Sequence, residues 1–174
     1  MDRYTRFIEI MEELIRKDPD RIDWQNDLSV GLSNAGNICR NLSENDKALE
    51  YFARCVEIRE NLVKKDPDRT EWQRDLGVSL NNVGSLYENL GELEKALGYY
   101  KRVLVIRRTL VDKEPGVVDR CVGLAFALLD MARITQNDDQ KREFEMEAQS
   151  ITRSLLQSGA KHRELNVLRS FFSS

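Results

Sequence analysis

"DPDRIDWQNDL", residues 18–28, returns 48 positions later as "DPDRTEWQRDL", residues 66–76. Aligned without a gap, residues 18–65 and 66–113 agree at 25 of 48 positions, far above chance. The chain is therefore built on a duplicated unit, and a repeat of this period signals a stacked architecture. A third copy follows in register, with Pro115 under Pro67, Leu124 under Leu76, Leu128 under Leu80 and Ala132 under Gly84. The sequence opens inside a copy, with Tyr4 under Phe52, Ile10 under Ile58 and Leu14 under Leu62. The expected organisation is one domain over residues 1–174. Its parts are a half-repeat at 1–17 (second helix only), repeats at 18–65 and 66–113, a diverged repeat at 114–158, and a C-terminal capping helix at 160–172.

Each full repeat holds two helical patterns. Leu28, Leu32, Ala35, Gly36 and Cys39 recur at helical spacing, and after "LSEND" so do Ala48, Phe52, Cys55, Val56, Ile58 and Leu62. Pro67 bars the preceding helix from running through it. Asp68 with Glu71, and Ser43 with Asp46, have the spacing of a helix cap and its acidic partner. Gly91 stands at the turn between helices, where a positive φ costs nothing. The expectation is an all-α fold, an α-solenoid of antiparallel helix pairs, with about seven main helices and a short capping helix.

Leu32, Ala35, Gly36, Cys39, Ala48, Phe52 and Cys55 match Leu80, Val83, Gly84, Tyr87, Ala96, Tyr100 and Val103 in the next copy. This order of large, small and aromatic positions resembles the tetratricopeptide repeat family over residues 1–158. The family's usual unit has 34 residues, and this one is fourteen longer. Fourteen divides as seven per helix, about two turns that leave the buried face nearly in line. Helices of roughly 20 residues, ~30 Å long, are predicted. The sequence is similar to long-helix members found in tandem arrays of large bacterial signalling proteins.

Bulk properties narrow the function. A net charge of −3 offers no basic face for nucleic acid or an anionic membrane, and neither is expected as a partner. No apolar run reaches the ~20 residues of a membrane span. The opening segment carries charges throughout, unlike a signal peptide, so a cytoplasmic protein is expected. Cys39, Cys55 and Cys121 form no CxxC pair and read as small buried residues, with no metal site expected. No phosphate loop, HExxH or GxSxG occurs, so neither cofactor nor catalysis is expected. A hydrolase pairing His162 with a cysteine is the enzymatic alternative. Trp24 and Trp72 read as packing residues between repeats, and Asp27, Asp75, Arg59 and Arg107 as members of ion pairs between helices.

Binding by surface remains. The resemblance implies that the first helix of each repeat lines a groove for a protein or peptide partner. Carried across, the groove residues are Ser33, Asn37, Arg40 and Asn41; then Asn81, Asn82, Ser85, Glu88 and Asn89; then Leu129, Asp130, Arg133 and Gln136. Asparagine both donates and accepts, so a row of them suits the backbone of an extended peptide. A clamp for a C-terminal carboxylate is not expected, because Ser33 and Val78 stand where that subfamily carries basic residues. The alternatives within the binding class are a sensor segment of a larger signalling or effector protein and a self-associating array subunit. At the N-terminus, Tyr4, Phe7, Ile8, Met11 and Ile15 belong to an apolar arc broad enough to leave one side bare. A homo-oligomer formed through this uncapped helix is the corresponding expectation.

Overall fold

The computed structural model describes residues 2–172. They form eight helices: α1 (Asp2–Lys17), α2 (Ile22–Asn41), α3 (Asn45–Lys65), α4 (Thr70–Asn89), α5 (Leu93–Lys113), α6 (Val118–Ile134), α7 (Asp138–Gln157) and α8 (Leu165–Phe171). No strand occurs among the described residues. The fold is all-α. The helices of the two full repeats have 20 and 21 residues, then 20 and 21 again. Seven residues added to each helix keep the apolar stripe on one side, and that is what the longer period encodes.

The chain divides into two compact units, Met1–Gly91 and Glu92–Ser174. In the first, α2 packs against α1 and α3, and α3 against α4. Its core gathers Ile8, Met11, Leu28, Leu32, Ala35 and Cys55, with Tyr4, Leu14, Ile15, Trp24, Tyr51 and Ile58 against it. Gly36 lets the helices of a hairpin close up: a Cβ there would lie 2.6 Å from the Phe52 ring. In the second unit α6 packs against α5 and α7, and α8 against α6 and α7. Leu165 and Leu168 are buried there, while Val167 and Phe171 stay exposed. The closing helix is shorter than predicted, starting at Leu165, because the turn through Gly159 at φ 72° and the segment after it are not helical.

The duplicated phrase is a corner stabilised from within. Arg21 lies 4.4 Å from the Trp24 ring centroid, and Arg69 lies 4.3 Å from that of Trp72. Gln25 Nε2 donates to the Pro19 carbonyl, and Gln73 Nε2 to that of Pro67. In the third copy Cys121 replaces the glutamine, and its Sγ still points at the Pro115 carbonyl, 3.8 Å away. Arg120 replaces the tryptophan, buried and bonded to Glu114 at 2.8 Å.

The helix caps differ from the expected ones. α4 starts at Thr70 behind Arg69 and α3 at Asn45 behind Glu44, neither with a side-chain cap. Asp68 instead donates its N–H to Asp66 Oδ1 at 3.3 Å. Ser43 ends α2 rather than starting α3. It adopts φ 60°, its N–H bonds the Arg40 carbonyl at 3.0 Å, and the Glu44 N–H bonds that of Cys39 at 2.9 Å. This pair of bonds closes a helix over a left-handed residue. Gly91 occupies the matching place after α4 at φ 77°.

Candidate interaction surface

The position of α2 beside α4 is fixed by a buried polar knot below the surface. Arg59, on α3, is 7% exposed. Its Nε donates to Ser29 Oγ at 3.2 Å, and its Nη1 to Ser79 Oγ at 2.7 Å and to the Asp75 carbonyl. Cys55 Sγ lies 3.1 Å from the Ser29 carbonyl and 3.2 Å from Ser79 Oγ. Three helices thus share one set of bonds around a desolvated guanidinium. The expected carboxylate pairing is not what forms. Arg59 takes neutral oxygens, and the Asp75 carboxylate is bonded by Arg74 at 3.2 Å. In the second unit Arg107 lies against α6, its Nη1 3.0 Å from where a Cβ on Gly123 would be.

α2 and α4 bring two of the expected groove residues together. Asn82 Nδ2 lies 3.5 Å from Ser33 Oγ, joining the first helices of successive repeats. Ser33, Asn37, Arg40, Asn81, Asn82, Ser85 and Glu88 are all half-buried, while Asn41 and Asn89 are exposed at the helix ends. The Arg40 guanidinium stands 6.0 Å from the Phe52 ring centroid, so α3 helps orient it. The surface is polar and carries both a cation and an anion.

In the second unit Leu129 and Asp130 are half-buried, and Arg133 and Gln136 are exposed. Arg133 Nη2 bonds Asp130 Oδ1 at 2.7 Å. Leu129 lines a cleft of about 400 Å³ together with Arg142, Met146 and Gln149 of α7 and Phe171 and Phe172 at the chain's end. The contribution of α7 was not read from sequence. Its apolar contribution to the cleft is Met146, which is 70% exposed.

The N-terminal arc is partly consumed inside the chain. Ile8 and Met11 are buried in the core with α2, so they form no free self-association surface. Tyr4 and Ile15 are half-buried against the same core, and Phe7 is exposed.

Cys55, Cys121 and His162 each have other partners: Cys55 meets Ser29 and Ser79, Cys121 points at the Pro115 carbonyl, and His162 faces Asp119 and Glu164. Burial pushes the thiols of Cys39, Cys55 and Cys121 upward, away from the nucleophilic thiolate. Cys121 is half-buried rather than buried. His162 is likewise half-buried: Nε2 faces Asp119 Oδ1 at 3.6 Å, and Nδ1 accepts the Glu164 N–H at 3.2 Å. Among the described residues no group of three His, Cys, Asp or Glu is placed to hold a metal ion. No helix there is long and apolar enough to cross a membrane.

Two family models, each described as a tetratricopeptide repeat, match residues 31–62 and 76–115. The chain carries tetratricopeptide repeats. Such repeats generally mediate protein–protein interaction, and an all-helical fold of this kind is typical of scaffolds rather than enzymes. No curated protein matches the chain. Among solved structures, one titled "Crystal structure of MamA" is similar at 12% identity, covering 86% of this chain and 89% of that one, with a TM-score of 0.31. The tetratricopeptide repeat matches take in Ser33, Asn37, Arg40 and Asn41 on one side, and Asn81, Asn82, Ser85, Glu88 and Asn89 on the other.

Proposed function

We propose that the chain is a protein-interaction module that binds an extended peptide segment of its partner along α2 and α4. The contact between Asn82 and Ser33 carries this reading, because it puts side chains of two successive repeats within reach of one ligand. Asn37, Asn81 and Ser85 add donors and acceptors that a peptide backbone can use at successive residues. Arg40 and Glu88 supply one charge of each sign, which suits a polar ligand better than a strongly charged one. Arg40 is the one cation among the expected groove residues of α2 and α4, which does not favour a terminal carboxylate as the target.

The test is a pulldown or peptide-array measurement with the wild-type chain and with Asn37→Ala and Asn82→Ala, singly and together. Each substitution is expected to weaken partner binding by about 1–2 kcal/mol, since it leaves ligand amides unpaired. Helix content by circular dichroism is expected to stay unchanged. Full binding by the double variant would refute the groove.

A further inference from the structure

Along their middles α2 and α4 turn polar residues outward except at one level. Val30 is 44% exposed and Val78 42%, and the two stand at matching positions 48 residues apart. Val78 is the one exposed apolar residue of α4, and on α2 only Ile22, at its very start, joins Val30. A valine in mid-helix gains nothing locally, because its branched side chain lowers helix propensity.

The buried knot fixes where these two side chains point. Arg59 holds Ser29 Oγ through Nε and Ser79 Oγ through Nη1, so one guanidinium sets the spacing of α2 and α4 at that level. Both helices pack against α3 through short turns, so each is antiparallel to it and the two run in the same direction. Val30 follows Ser29 along α2, whereas Val78 precedes Ser79 along α4. A step of ~100° from each serine, in opposite senses, brings both valines to the side away from α3. One turn further on, Asn82 and Ser33 tie the two helices again at 3.5 Å. The valines therefore form a fixed apolar step beside the polar pair.

From this placement we infer that the partner peptide carries an aliphatic side chain that seats across Val30 and Val78. The inference rests on α2 and α4 being the peptide surface, and it adds what that peptide must contain. Neither valine side chain offers a hydrogen bond or a charge, so a polar ligand group there would lose water without compensation. An aliphatic one gains by leaving water. One helical turn spans ~5.4 Å, and side chains on one face of an extended peptide stand ~7 Å apart. The aliphatic residue thus lies within about two positions of the peptide group that meets Asn82.

The experiment is selection of a phage-displayed random peptide library on the full chain, followed by fluorescence polarisation with the selected peptides. Wild type is expected to select peptides with valine, isoleucine or leucine at one fixed position. Val30→Thr combined with Val78→Thr keeps the branched shape and removes the apolarity, and is expected to weaken those peptides by about tenfold. Serine in place of the peptide's aliphatic residue is expected to cost wild type as much and the double variant little, the signature of a direct contact. Should that variant fold poorly by circular dichroism, Val30→Ala with Val78→Ala replaces it, since alanine favours the helix. Peptides that need Asn82 but show no aliphatic preference would overturn the inference and leave the peptide surface standing. So would a preference that survives both pairs of substitutions. An empty selection, or peptides indifferent to Asn82→Ala, would sink the peptide surface itself and this inference with it.

Discussion

Ser43 and Gly91 perform one task with unequal ease. Both stand just past a first helix with φ above zero, at 60° and 77°. Glycine adopts that conformation freely, whereas a side chain crowds its own backbone there. Ser43→Gly is therefore expected to stabilise the fold by about 0.5–1 kcal/mol, and Gly91→Ser to destabilise it by about 1 kcal/mol. Urea denaturation followed by circular dichroism checks both signs. The turn glycine was legible in the sequence because "NLGELEKA" contains a glycine where a turn was due. Its serine counterpart was not, since the spacing to Asp46 imitates a helix start. Arg21 and Gln25 recur as faithfully as Trp24, yet their partners, a ring face and a proline carbonyl, leave no spacing pattern of their own.

For the elements, the hairpin of α2 and α3 rests on a missing methyl group. A Cβ at Gly36 would meet the Phe52 ring at 2.6 Å, and that ring, 1% exposed, has little room to move. Gly36→Ala is expected to cost about 1–3 kcal/mol by overpacking. Gly98, on α5, has nothing within 4 Å of an added Cβ. Gly98→Ala is expected to stabilise by up to ~1 kcal/mol through helix propensity. Opposite shifts in melting temperature would confirm that contact, rather than glycine content, sets the outcome. Helix lengths were readable because apolar residues recur with the helical period and prolines punctuate them. The knot around Arg59 was readable only as a recurring arginine. Its acceptors are two serine hydroxyls and a carbonyl from three different turns of chain, and nothing in a linear pattern joins them.

At the scale of the whole molecule, the buried thiols tie stability to pH. Burial raises Cys39 and Cys55 above the ordinary thiol value of about 8.5. Below that value the thiols are neutral in both the folded and the unfolded chain, and the full stability is present. As pH rises through it, the unfolded chain ionises first and stability falls toward the folded thiols' own higher values. Denaturant midpoints are expected to decline above about pH 8.5, and Cys39→Ala with Cys55→Ala to flatten that decline. The all-helical organisation was visible from the repeat alone, whereas the proposed partner surface was marked out only by the family resemblance and residue type. The corner at Pro67 adds a point about inheritance. Its proline, arginine, tryptophan and glutamine satisfy one another within a single short phrase. Copying that segment in a gene carries the cation–ring and glutamine–carbonyl contacts of the joint along with it. Arrays built on it can therefore grow or shrink by whole units through unequal recombination, each product arriving with its bends already correct.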